Sequence, residues 1–159
     1  MKIAVYPGTF DPITNGHIDI INRGLRIFDK IIVTVAVNPG KTPLFSLEER
    51  IEMIEQSIGN VENVEVAQFQ GLIADYLKSV NAIAMIRGLR AISDFEFEFQ
   101  MSLMNRKLNE DVETVFLMPA QEYIHLNSTL IKEVSSFNGD ITEYVPKNVE
   151  DKLNEKFGR

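Results

Sequence analysis

A chain of 159 residues, 45% hydrophobic and 25% charged, has the size and balance of one soluble globular domain with a core of its own. Its 16 Lys and Arg against 23 Asp and Glu give a net charge of −7, so the overall field repels a phosphate backbone and nucleic acid is not an expected partner. It has no cysteine, which excludes disulfides, thiolate metal sites and a cysteine nucleophile, and its two histidines, His17 and His125, cannot make a zinc site alone. No apolar run approaches the ~20 residues that cross a bilayer. Met1 to Tyr6 runs into Pro7-Gly8 too early for a signal peptide. The expectation is one domain over residues 1–159, cytoplasmic and away from membranes.

Strand and helix signals alternate along the chain. Lys2 to Tyr6 reads as a strand ending at Pro7-Gly8, followed by turn formers from Thr9 to Gly16. A helix is expected from His17 to Phe28, with Ile18, Ile21, Leu25 and Phe28 at helical spacing. Ile31 to Val37 is a continuous β-branched run, as in a parallel strand buried on both faces. Ser46-Leu47-Glu48-Glu49 is a capping box, so the next helix starts at Leu47 and carries Ile51, Ile54 and Ile58 inward. The acidic Glu48, Glu49, Glu52 and Glu55 read as its solvated face. Asn63 to Phe69 and Ile83 to Ile86 are strands, with a short helix from Leu72 to Val80 between them.

From Ile92 to Leu108 two periods compete. Phe95, Phe97 and Phe99 alternate with Glu96 and Glu98 as in a strand, but Ile92, Phe95, Phe99 and Leu103 fit a helix, and the length favours the helix. Phe97, Met101 and Met104 then form a second apolar side, which belongs either to the core or to a contact with another subunit. Glu113 to Met118 is a fifth strand, Ser128 to Phe137 a helix closed by Asn138-Gly139, and Lys147 to Phe157 a polar terminal helix.

Such alternation implies right-handed crossovers and a five-stranded parallel sheet with helices on both faces, a Rossmann-like α/β fold. Ligands of such sheets bind beyond the carboxyl ends of the strands. Those ends carry Thr9 and Gly16-His17, Asn38-Pro39-Gly40-Lys41, Gly71-Leu72-Ile73, Arg87-Gly88-Leu89-Arg90, and the loop with Tyr123, His125, Asn127 and Ser128. In an acidic protein, one edge thus collects Lys41, Arg87, Arg90 and also Lys132, an arrangement suited to phosphates. Gly16-His17 at a helix start offers free N–H groups to an anion. The bland alternative is a histidine that only caps its turn. Neither a Walker loop nor a Gly-x-Gly-x-x-Gly fingerprint is present. Asp11 and Pro12 read as turn-shaping, Asn127-Ser128-Thr129 reads as a cap of the helix that follows or as a phosphate site using the same N–H groups, the two being compatible, and His125, without an acidic neighbour in sequence, reads as structural. No Asp/Glu cluster suggests a dedicated metal cage.

Tyr6-Pro7-Gly8-Thr9-Phe10-Asp11-Pro12-Ile13-Thr14-Asn15-Gly16-His17 resembles the opening of the bacterial phosphopantetheine adenylyltransferases, nucleotidyltransferases with a Thr/His-x-Gly-His motif. The resemblance continues through Lys41-Thr42-Pro43-Leu44-Phe45, Leu47-Glu48-Glu49-Arg50, Ile86-Arg87-Gly88-Leu89-Arg90, Asp94-Phe95-Glu96, Met104-Asn105-Arg106, Phe116-Leu117-Met118-Pro119 and Lys132-Glu133-Val134. It implies adenylyl transfer from ATP to 4′-phosphopantetheine, giving dephospho-coenzyme A and pyrophosphate, the penultimate step of coenzyme A biosynthesis. It further implies that Thr9, Lys41, Ile73 and Arg87 bind the acceptor. ATP would be held by Thr9, Phe10, His17, Gly88, Leu89, Arg90, Glu98, and by Tyr123, Ile124, His125, Leu126, Asn127, Ser128 and Thr129. His17, with Lys41 and Arg90, would be catalytic. Mg²⁺ carried on ATP, a homohexamer and feedback by coenzyme A are implied as well. The family loop usually reads Ser-Ser-Ser or Ser-Ser-Thr where this chain has Asn127-Ser128-Thr129, and Asn127 can still donate and accept hydrogen bonds.

The chemistry agrees with that resemblance. A phosphate monoester has its second pKa near ~6, so it attacks as a dianion and needs no general base. Catalysis then consists of alignment and charge neutralisation. The alternatives are another small-molecule nucleotidyltransferase, of the nicotinamide mononucleotide adenylyltransferase or cytidylyltransferase type, and a non-catalytic module that senses nucleotide or coenzyme A.

Overall fold

The computed structural model describes residues 1–38, 40 and 42–159, with only the backbone of Ile92 and Ser93. Five strands form one parallel sheet: β1 (Ile3–Gly8), β2 (Lys30–Ala36), β3 (Val64–Phe69), β4 (Ala84–Gly88) and β5 (Glu113–Leu117). Their order is β3-β2-β1-β4-β5, so the winding direction reverses between β1 and β4. The helices are α1 (Asn15–Gly24), α2 (Leu47–Ile58), α3 (Ile73–Ser79), α4 (Ile92–Leu108), α5 (Ser128–Ser136) and α6 (Lys147–Lys156), with a 3-10 turn at Gln121–Tyr123. The Rossmann-like α/β architecture expected from the sequence is therefore the one found. No helix is long and apolar enough to cross a membrane among the described residues.

The strand period of two divides the core. Ala4 and Tyr6 of β1, Ile31, Val33 and Val35 of β2, and Ala84 and Ile86 of β4 point to one face, under Ile20 and Ile21 of α1, Met53 and Ile54 of α2, Ile131 of α5 and Leu153 of α6. Val5, Ile32 and Met85 point to the other, under Leu77 of α3. Burial on both faces is why these strands read as continuous apolar runs.

Most boundaries differ from the expectations by a residue or two, β1 for example running on through Pro7 and Gly8 because both pair with β2, and three shifts have a further local reason. The first helix starts at Asn15, not His17, because Thr14 is its N-cap and His17 takes the third helical position of a capping box. It stops at Gly24 rather than Phe28. A Cβ there would lie 2.6 Å from Ile31 Cδ1 and 2.9 Å from Ile86 Cδ1, so glycine lets the helix end rest directly on the sheet. The fourth strand continues through Arg87 to Gly88, where main-chain pairing with Phe116 and Leu117 of β5 extends it. Arg87 is thus mounted on a strand end rather than on a loop.

The ambiguous segment is a helix, α4, as its length suggested. Its expected core side is scarcely covered, however: Phe95, Phe99 and Leu103 are 44%, 46% and 50% exposed, and Phe97, Met101 and Met104 are exposed as well. Phe95 stacks on Phe99 and meets Phe116 edge-on.

Candidate active site

A cavity of about 800 Å³ opens beyond the carboxyl ends of β1 and β4, where the strand order reverses. That is the position expected of a ligand site in an open parallel sheet. Of the sequence-predicted residues, Thr9, Phe10, His17, Arg87, Gly88, Arg90, Glu98, Tyr123, Leu126, Asn127, Ser128 and Thr129 line it. Ile73, Leu89, Ile124 and His125 do not line it: Ile73 opens α3 on the opposite sheet face, the Leu89 N–H donates to Leu117 O, and His125 is exposed. Lys41 lies outside the described residues.

His17 is fixed by its own helix start. Its Nδ1 accepts the Thr14 N–H at 3.0 Å and lies 3.0 Å from Thr14 Oγ1. A nitrogen that accepts a main-chain N–H carries no proton, so in the neutral ring the proton sits on Nε2. Burial, with the Arg90 charge adding to it, lowers the His17 pKa to about 4. The imidazole is therefore a neutral, oriented donor at pH 7. The capping alternative is also realised, because one ring nitrogen caps the helix while the other stays available.

The Phe10 ring packs edge-on against both Tyr6 and His17. Phe10 itself is buried and has φ 47°, in the left-handed region. An L-residue there costs of order 1–2 kcal/mol, so the surrounding contacts must impose it. On one side, the buried Asp11 carboxylate accepts the Leu44 and Phe45 N–H groups at 2.9 Å each and the Lys132 ammonium at 2.6 Å. Burial pushes the Asp11 pKa up, but the Lys132 and main-chain donors outweigh it and hold the carboxyl below its ordinary value. Asp11 shapes the turn, as its position suggested. Lys132 reaches the cavity rim but spends its charge on Asp11 rather than standing free for a phosphate.

The two arginines are less alike than the sequence suggests. Arg87 forms a bidentate pair with Glu98 of α4, through Nε at 2.8 Å and Nη2 at 2.5 Å, and its Nη1 donates to Pro7 O at 3.2 Å. Three of its five N–H donors are thus engaged and two remain. Its fork grips Glu98 instead of standing open. Arg90 donates to Leu126 O at 3.0 Å and sits 3.6 Å from Asp94, half exposed on the rim. It ties the β4–α4 turn to the loop before α5, while its charge reaches the His17 ring. The N-terminus of α5 closes this side. Asn127 caps it by accepting the Leu130 N–H at 2.8 Å, and Ser128 Oγ donates to Pro12 O at 2.7 Å. Asp94 and Phe97 also line the cavity; the sequence marked Asp94 only within a family-like block and Phe97 only as part of a second apolar side, neither as a site residue. The opposite charges of Arg90 and Asp94, four residues apart across the start of α4, were the available signal.

The described lining sets three cations, Arg87, Arg90 and Lys132, beside an oriented neutral donor, His17. The carboxylates in the cavity, Asp11, Asp94 and Glu98, are each paired with a cation. Such a site can bring two anions together and stabilise added charge.

Residues 5–134 match the cytidylyltransferase-like family. The chain is 58% identical over 158 residues to the phosphopantetheine adenylyltransferase of Desulfosudis oleivorans, covering 99% of this chain and 94% of that protein. It is 55% identical to the protein of the same name from Geotalea daltonii, covering 100% and 99%. Among solved structures, a bifunctional NMN adenylyltransferase/ADP ribose pyrophosphatase from Francisella tularensis superposes with TM-score 0.74 at 17% identity, over 99% of this chain and half of that one. A protein of Vibrio parahaemolyticus assigned as a nicotinate-nucleotide adenylyltransferase superposes with TM-score 0.71 at 20% identity, over 99% and 95%. These structures share the fold.

Proposed function

The chain belongs to the phosphopantetheine adenylyltransferases of the cytidylyltransferase-like family, and from that membership we propose how its residues carry out the transfer. ATP and 4′-phosphopantetheine give dephospho-coenzyme A and pyrophosphate, in one nucleotidyltransferase domain over residues 1–159. The acceptor phosphate, a dianion near neutral pH, attacks the α-phosphorus in line with the leaving pyrophosphate. The observation that carries this reading is the state of His17: neutral, Nδ1 occupied, and Nε2–H left as a donor beside Arg90. That donor meets the α-phosphate oxygen as charge builds on it. A protonated imidazole is not needed, and no side chain has to remove a proton.

The two unengaged N–H groups of Arg87, with Lys41, hold the acceptor phosphate, and Thr9 lies between the two substrates. Arg90 and the N-termini of α1 and α5 carry the triphosphate. Phe10, Gly88, Leu89, Glu98 and the Tyr123 to Thr129 segment flank the nucleotide, and Ile73 the pantetheine arm. Mg²⁺ suits a site whose cavity carboxylates are already paired with cations, since it keeps water and rides on phosphate oxygens. It would supply charge neutralisation on ATP. The uncovered apolar sides of α4 support self-association, read here as the homohexamer, with coenzyme A as feedback ligand in the cytoplasm.

The direct test is pyrophosphate release from ATP and 4′-phosphopantetheine. Activity with nicotinamide mononucleotide or with CTP instead would redirect the reading within the superfamily. Arg87→Ala should raise the KM for 4′-phosphopantetheine about tenfold or more, the range expected for a lost charged hydrogen bond, with the KM for ATP little changed. Equal binding of pantetheine with and without its phosphate would remove Arg87 from that role.

A further inference from the structure

We propose that Arg50 is a positioning residue for the nucleotide: its buried guanidinium holds the Thr9–Phe10 peptide so that the Phe10 N–H faces the cavity and donates to a phosphate oxygen. The proposal rests on the adenylyl-transfer reading and names a residue that does not itself line the cavity.

Arg50 is only 5% exposed. A buried arginine is ordinarily paired with a carboxylate, yet among the described residues none forms an ion pair with it. Its guanidinium is spent on main-chain carbonyls instead: Nη1 donates to Thr9 O at 2.9 Å and Nε to Ser46 O at 3.3 Å. The start of α2 does not require this. Ser46 and Glu49 already satisfy each other's main-chain N–H groups in the capping box. The contact that local structure leaves unexplained is the one to Thr9, 41 residues away.

Thr9 O and Phe10 N belong to one peptide plane. The Asp11-Pro12 bond is the only cis peptide among the described residues, so the 9–10 bond is trans and its C=O and N–H point in opposite directions. With the carbonyl turned to Arg50 on the α2 side, the N–H is turned the other way, toward the cavity that Thr9 and Phe10 line. Among the described residues no acceptor meets that N–H. The left-handed φ of Phe10 follows from the same plane orientation. Asp11 pins the turn on its C-terminal side, and Arg50 pins it at Thr9. Without the guanidinium the plane can rotate, φ can relax, and the N–H leaves the nucleotide.

The test compares Arg50→Met, which keeps the buried stem, with Arg50→Lys, which offers one ammonium in place of a fork. Thermal melting, pyrophosphate-release kinetics and the Phe10 amide resonance in ¹⁵N-phenylalanine-labelled protein are read for each. Arg50→Met should raise the KM for ATP about tenfold or more, the range expected for a lost hydrogen bond to a charged group, with kcat little changed. Its KM for 4′-phosphopantetheine should stay within about twofold, and ATP should no longer shift the Phe10 amide. Arg50→Lys should lose less, again only toward ATP. Unchanged kcat/KM for ATP, or an equal loss toward both substrates, overturns the proposal. If Arg50→Met does not fold, Arg50→Lys decides by the same criteria. A parent protein that releases no pyrophosphate overturns the adenylyl-transfer reading instead, and the amide response to ATP then still decides the role of Arg50.

Discussion

Replacing His17 with alanine should lower kcat by about 10² to 10³, the cost of losing one oriented donor to developing charge, while ATP binds within a few-fold of the parent. The asymmetry follows from the state of the ring. A neutral imidazole adds little Coulomb attraction to the ground-state triphosphate, which Arg90 and the helix N-termini already hold. Its Nε2–H becomes valuable only when the α-phosphate oxygens gain charge in the transition state. The same state can be observed directly. With ¹⁵N-labelled histidine, His17 should show an unprotonated Nδ1 and a protonated Nε2, and should stay neutral from pH 8 to about 5, with its midpoint near the lowered value of about 4. Titration of His17 near 6.5 would falsify the tautomer argument, and equal turnover in His17→Ala would remove the residue from catalysis.

The largest stability effect is expected at Asp11. Asp11→Ala removes a carboxylate from two main-chain N–H groups and from Lys132, leaving all three donors without their acceptor in a largely dry place. Breaking one side of such a buried pair costs about 3–5 kcal/mol, measurable as a lower urea midpoint. The sign of the pH dependence follows from the lowered folded-state pKa. The unfolded carboxyl titrates near ~3.9, so the Asp11 contribution is complete above that pH and is lost as pH falls through the lower folded value. The parent should therefore lose stability below about pH 4, and Asp11→Asn should show a shallower acid limb from a lower plateau. An Asp11→Ala protein as stable as the parent would mean that the 44–45 segment finds other acceptors. Activity should suffer along with stability, because Asp11 anchors the same turn that carries Thr9 and Phe10.

Much of this site was legible in the chain because it sits where period and turn chemistry change. Strands buried on both faces read as apolar runs, and the residues just after them are freed from packing, so Thr9, Arg90 and the Tyr123 to Thr129 loop stood out. Thr14-Asn15-Gly16-His17 also carries a local signal in its spacing. It is a capping box with histidine in place of the usual Glu or Gln, and reading it so would have moved the helix start to Asn15 and assigned the Nδ1 role. Arg50 gave no such signal, since an arginine on an amphipathic helix looks like any solvated one.

The sequence by itself determined the alternation of elements, the parallel sheet, and the chain segments that lie at its carboxyl edge, because these depend on periods and caps within about ten residues. The tertiary structure alone decided which side chains of those segments are free to act. Arg87 meets Glu98 eleven residues on, Arg50 meets Thr9 across 41, and Lys132 meets Asp11 across 121. Contacts at such separations are set by strand order and helix docking. They leave one arginine half engaged, turn a lysine into a strut, and aim a peptide N–H and an imidazole N–H into the same cavity.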